Sequence, residues 1–160
     1  MSTWSAARAA AALGRVLRYV RREPGWAAEA FAVRITSPLL KRALPIGRFA
    51  RLMWREPAPG VPVPGRVSEL RALANDAGRF FVSTNCLERS ALLYRTLSRV
   101  GADPVLVLGA SPGASTVSGH AWVEVAGAAI DDPQAAQFVP VVAFGRGGRR
   151  VPVASAQSAA

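Results

Sequence analysis

The chain holds a single cysteine, Cys86, and a single histidine, His120, in 160 residues. One cysteine closes no intramolecular disulfide and cannot by itself build a cysteine-rich zinc site. A reducing cytoplasm is the expected compartment. Long apolar runs are also lacking. Hydrophobic residues make up 51% of the chain, but no window reaches the roughly 18 uninterrupted apolar residues of a membrane-spanning helix. The N-terminus, "MSTWSAARAAAALGRVLRYVRR", sets Arg8 inside its would-be apolar segment, which makes it a poor signal peptide. Acids are scarce, ten against twenty Lys and Arg, for a net charge of +10. The imbalance is local: residues 1–60 carry eleven Lys or Arg and three acids, residues 61–160 nine and seven. Such a region suits an acidic protein, an anionic lipid surface or nucleic acid, and equally a solvated helix face. No nucleic-acid recognition motif accompanies it.

What is there divides into three parts. Residues 1–60 form a basic helical region. A helix is expected over 5–22, ended by Pro24 and Gly25, then a second from about Trp26 to Ile35. A third, "SPLLKRALPIGRFARLMW", is interrupted by Pro45 and Gly47. The proline-rich "REPAPGVPVPGR" is a linker or an extended arm. Residues 61–145 are denser in signals. "VSELRALANDAG" reads as a helix, and "STNCLERSALLYRTLSRVG" as another, ended by Gly101. Strands follow at "PVLVLGAS", "HAWVEV", "AAIDD" and "FVPVVAF". For residues 146–160 the Gly, Arg, Ala and Ser content predicts disorder. The fold class is therefore α+β, a helix bearing the cysteine packed on an antiparallel sheet.

The placement of Cys86 is the chemical question. A thiol in the first turn of a helix lies near free backbone N–H groups and the positive end of the helix dipole, and both favour thiolate over thiol. The same N–H groups can hold an oxyanion after the sulfur attacks a carbonyl. A nucleophile needs a base, and His120 is the sole histidine; an imidazole in turn needs an acceptor on its other nitrogen. Asp131 and Asp132 follow across a hairpin. A two-residue turn at Ala126-Gly127 puts Asp131 on the histidine face, whereas a longer turn or a bulge presents Asp132. Each residue has an ordinary structural explanation alone; together they suggest a Cys-His-Asp triad, which requires no metal and no cofactor. Asn85 is either an oxyanion donor or a helix cap. Trp122 shares the face of His120 and either covers the imidazole or fills the core. Arg89 and Arg95 are expected on the exposed side of the helix. Glu88 suits the helix dipole, but would oppose thiolate formation if close to Cys86.

The blocks "NCLERSALLYRTLSRVGADPVLVLGA" and "GHAWVEVAGAAIDD" resemble the transglutaminase-like, papain-related core of the lasso-peptide leader proteases. The resemblance covers about residues 66–140 and is strongest to the stand-alone C-terminal half of the split B protein. It implies Cys86 as nucleophile, His120 as base, and Asp132, by family spacing, as the third member. It also implies a cysteine peptidase that removes the leader of a ribosomally made precursor peptide. The expected partners are that peptide, a separate leader-recognition protein, and an asparagine-synthetase-like cyclase that closes the macrolactam. The basic helices of residues 1–60 would dock a partner or touch a membrane surface, their Trp4, Trp26 and Trp54 lying among arginines. Two other readings remain: a transglutaminase-type acyltransferase using the same triad, and a non-catalytic basic binding module.

Overall fold

A computed structural model describes residues 11, 14, 17, 18, 20–57, 85–111, 118–130 and 132–153. The helix expected over "VSELRALANDAG" lies outside the described residues. Among the described residues, helices α1 (Pro24–Ala43), α2 (Ile46–Met53) and α3 (Cys86–Arg99) precede or flank the sheet. Glu23 interrupts the helical residues before it, and Pro24 opens α1, where a missing N–H costs nothing. The two helices expected on either side of Thr36 are one, because α1 continues through Pro38. An interior proline costs about 3 kcal/mol. Burial of Trp26 and Val33 along one face of α1 offsets it. Pro45 does end the helix as expected, whereas Gly47 sits within α2.

Among the described residues, five strands form one antiparallel sheet in the order β3-β2-β1-β4-β5: β1 (Val105–Ala110), β2 (Gly119–Val125), β3 (Ala128–Ala129), β4 (Val139–Phe144) and β5 (Arg150–Val151). The alternation of strand residues sorts them onto two faces. Leu106, Val123 and Phe144 meet Trp26 and Val33 of α1, Phe49 and Met53 of α2, and Ala91, Tyr94 and Leu97 of α3. Val107, Trp122 and Ala143 lie on the other face with Ala135 and, at its margin, Phe138, Val151 and Val153. The basic helices do not stand apart at residue 60: α1 and α2 share one core with α3 and the sheet.

Order also reaches further along the chain than composition suggests. Residues 146–148 form a 3-10 turn, and β5 pairs with β4. Gly148 has a φ of +66°, and a Cβ there would fall 2.5 Å from the backbone of Arg51, so a bare glycine lets the turn seat directly on α2. The buried Tyr94 hydroxyl donates to the Gly145 carbonyl, and burial holds its proton well above the ordinary tyrosine range. Residues 154–160 lie outside the described residues.

Candidate active site

Cys86 is the first residue of α3 and is half-buried. Asn85 caps the helix. Its side-chain oxygen accepts the Leu87 N–H at 3.0 Å and lies 3.4 Å from the thiol, which donates to it. The Asn85 carbonyl accepts the N–H groups of Glu88 and Arg89. The cap role therefore occupies the oxygen of Asn85 and leaves its amide nitrogen as the donor end. Among the described residues the Cys86 N–H is the donor of this first turn that no cap engages, which suits it to an oxyanion.

At its far end α3 closes with Gly101 N–H to Ser98 and Ala102 N–H to Leu97. The chain reverses there, so β1 runs back along the helix. Because β2 is antiparallel to β1, it runs with α3, and its start lies at the Cys86 end. Two contacts fix this alignment. The Ser90 hydroxyl, one turn beyond Cys86, donates to the carbonyl of Ala121 at 2.8 Å, beside His120. Arg89 NH2 donates to Asp132 Oδ2 at 2.7 Å.

His120 is buried, with Nε2 2.9 Å from Asp132 Oδ2. Nδ1 is thus the ring nitrogen left for a thiol. Asp132 is buried too, and its Oδ1 accepts the Gln134 N–H at 3.2 Å. The hairpin explains how Asp132 arrives. Ala126 and Gly127 both have positive φ, and Val125 pairs with Ala128, so the turn is the two-residue one. A regular return strand would then carry Asp131 on the histidine face. The return strand stops at Ala129, the chain bends at Ile130, and the parity rule no longer applies. Asp131 lies outside the described residues.

Rings enclose the imidazole. Phe138 stacks on it at 4.7 Å between centroids, and Trp122 lies nearly parallel at 6.2 Å, its indole N–H donating to Glu124 at 2.8 Å. Nothing in sequence singled out Phe138; the turn from Asp132 through Ala135–Gln137 brings it back over the ring. Trp122 in turn occupies the space over Gly109, the residue paired with His120. A Cβ on Gly109 would lie 2.8 Å from two indole carbons and from the Val139 carbonyl. Gly109→Ala is therefore expected to cost about 1–3 kcal/mol and, by displacing the indole, on the order of tenfold or more in turnover. Thermal unfolding and initial rates read both; unchanged values would show that the indole is not held against the ring.

Arg89 is exposed as expected, and it also reaches Asp132. Arg95 is not exposed: its Nε donates to Glu29 at 2.7 Å while its NH1 donates to the Leu52 carbonyl at 2.8 Å. Glu88 also departs from expectation. It is buried, and it pairs with Arg34 at 2.9 Å and with Lys41, both on α1. Two cations thus compensate one buried carboxylate. Glu88→Gln leaves both cations without their anion, and a loss of about 3 kcal/mol is expected, on the order of 10 °C in Tm. Adding Lys41→Gln to Glu88→Gln should then cost less than Lys41→Gln does alone. Strict additivity in chemical denaturation would mean that the pair contributes nothing.

Among the described residues no group of three or more His, Cys, Asp or Glu is arranged to hold a metal ion. No described helix is long and apolar enough to cross a membrane. The sequence model of the transglutaminase-like superfamily matches residues 27–143. No curated protein and no solved structure matches the chain significantly.

Proposed function

Because the chain belongs to the transglutaminase-like superfamily, which includes cysteine peptidases and acyltransferases, we propose that it is a cysteine peptidase that removes the leader from a lasso-precursor peptide. The observation that carries the triad is the buried His120–Asp132 pair, tied by Arg89 to the helix whose first residue is Cys86. The peptide specificity rests on the likeness of the two sequence blocks to the leader proteases.

In this reading the Cys86 thiolate attacks the carbonyl carbon of the last leader residue. The Cys86 N–H, with the Asn85 amide nitrogen beside it, receives the oxyanion. The C–N bond breaks as His120 gives its proton to the leaving amine, which becomes the N-terminus of the core peptide. His120 then takes a proton from water, which hydrolyses the thioester and frees the leader's carboxylate. Asp132 holds the imidazole by Nε2 throughout, so that Nδ1 carries the proton traffic. A separate recognition protein presents the leader, and an asparagine-synthetase-like cyclase consumes the freed amine.

The test is reconstitution. Purified protein, a candidate precursor peptide and the recognition protein are incubated together, and products are identified by mass spectrometry. One cleavage at the leader–core junction, accelerated by the recognition protein, is the expected result. Repeating the reaction with an added primary amine separates the two chemistries of the family. Leader carboxylate as the main product supports hydrolysis, and leader amide would make the chain an acyltransferase instead. No acyl product of either kind in the complete system would overturn the enzyme reading.

A further inference from the structure

Helix α1 has an outer face that nothing among the described residues covers. Its inner face buries Trp26, Val33 and Ser37. Outward it presents Phe31, Ile35 and Leu39, 57%, 56% and 68% exposed, four residues apart and therefore in one line. Ala28, Ala32 and Thr36, on the same side of the helix, are also exposed. The Thr36 hydroxyl donates to the Ala32 carbonyl at 2.8 Å within its own helix. The face thus offers no unsatisfied polar side chain along three turns.

The exposed charged residues just before α1 and at its end are basic, and Glu23 at its N-cap is half-buried. Arg18 and Arg21 are exposed before α1, and Arg42 and Arg48 at and beyond its end. The one acid inside α1, Glu29, is turned to Arg95 and Arg99 of α3. A second copy of this chain would bring another cationic face, with no exposed acid on α1 to answer it. A bilayer surface of anionic phospholipid complements both features: acyl chains accept an apolar line that needs no hydrogen bonds, and headgroups accept the flanking guanidinium groups.

We propose that α1 is a peripheral docking surface for anionic membrane, with Phe31, Ile35 and Leu39 entering the headgroup–acyl boundary. Trp26 and Trp54 are not the anchors, and Trp4 lies outside the described residues. Trp26 is buried in the core and Trp54 packs against Tyr94 at 5.6 Å between ring centroids. Glu88 pairs with Arg34 and Lys41 from the inward side of the same helix, so docking would hold the Cys86 end of α3 close to the membrane. The proposal does not depend on which acyl-transfer reaction the site performs.

The experiment is vesicle co-sedimentation of the full chain with phosphatidylcholine alone and with phosphatidylcholine containing phosphatidylglycerol. Wild type is expected to partition onto the anionic vesicles at least tenfold better than onto the neutral ones, and less as salt rises. The triple variant Phe31→Gln, Ile35→Gln, Leu39→Gln changes exposed positions only, and its folding is checked by circular dichroism. It should lose at least tenfold in partitioning while cleaving or acylating a soluble peptide as wild type does. Arg42→Gln should weaken anionic binding about fivefold and leave neutral vesicles unaffected. Equal partitioning of wild type and triple variant, or no binding by wild type at low salt, overturns the proposal. So does a concentration-dependent dimer in sedimentation equilibrium that the triple variant abolishes, since that outcome gives the face to a second copy.

Discussion

Cys86→Ala is expected to lower turnover by roughly 10⁵–10⁶-fold, which places it below most assay floors. The size follows from what is left. Without sulfur no thioester forms, and the remaining donors and binding contacts accelerate direct attack by water only modestly. The fold should survive the change. Cys86 is half-buried at the first position of α3, and alanine is a strong helix former there. Asn85 Oδ1 keeps the Leu87 N–H when the thiol's bond to the same oxygen is removed. Unfolding temperatures of the two proteins should therefore agree closely, so that a lost rate reports chemistry. Since Cys86 is the sole thiol of the chain, one equivalent of iodoacetamide labels one site, and loss of activity should track that label mole for mole. Activity retained after complete alkylation, or retained by Cys86→Ala, would remove the residue as nucleophile.

Asp132→Asn is expected to reduce turnover by about 10³–10⁴-fold. The carboxylate serves three donors: His120 Nε2 and Arg89 NH2 on Oδ2, and the Gln134 N–H on Oδ1. An asparagine has one oxygen for the three, and its NH2 group must point at a donor. Either the ring loses its acceptor and turns, or Arg89 and the Gln134 turn lose theirs. Both outcomes cost a buried site an unpaired polar group, about 1–3 kcal/mol in stability beyond the rate. Asp132→Glu keeps the charge but moves the oxygens by a methylene, and it should recover only part of the rate. The informative pair is Asp132→Asn with Arg89→Gln. If Arg89 acts through Asp132, the second change adds little once the carboxylate is gone. Independent losses that simply add would place Arg89 outside this network. A turnover within a few-fold of wild type for Asp132→Asn would exclude the aspartate from the reaction.

How far these residues are legible in sequence differs from one to the next. Cys86 and His120 stand out because each is the sole residue of its type, and because local rules place them. Asn85 before an apolar-periodic run announces a helix start, and "HAWVEV" alternates as a strand. The hairpin turn was equally local, since Ala126-Gly127 needs only its own backbone geometry. Asp132 was not legible by that route. The period-two rule holds only while β3 continues, and where a two-residue strand ends is decided by what the next residues pack against. Family spacing pointed to Asp132 without supplying that reason.

Order in the 145–151 turn was hidden for a similar cause. A Gly-Arg run reads as solvent-exposed chain until the backbone of Arg51, nearly a hundred residues earlier, offers a surface that only Gly148 can approach. Pro38 within α1 is another case, for a proline's local cost is visible in sequence and the burial that offsets it is not. By itself the sequence determined the α+β class, the helix that starts at Cys86 and the strand that opens with His120, because caps, turns and periodicity act within a few residues. The tertiary structure alone decided which carboxylate meets the imidazole, that Phe138 stacks on it, and that Glu88 and Arg95 face partners rather than water. Those outcomes depend on contacts between residues dozens of positions apart, whose energies no local pattern records.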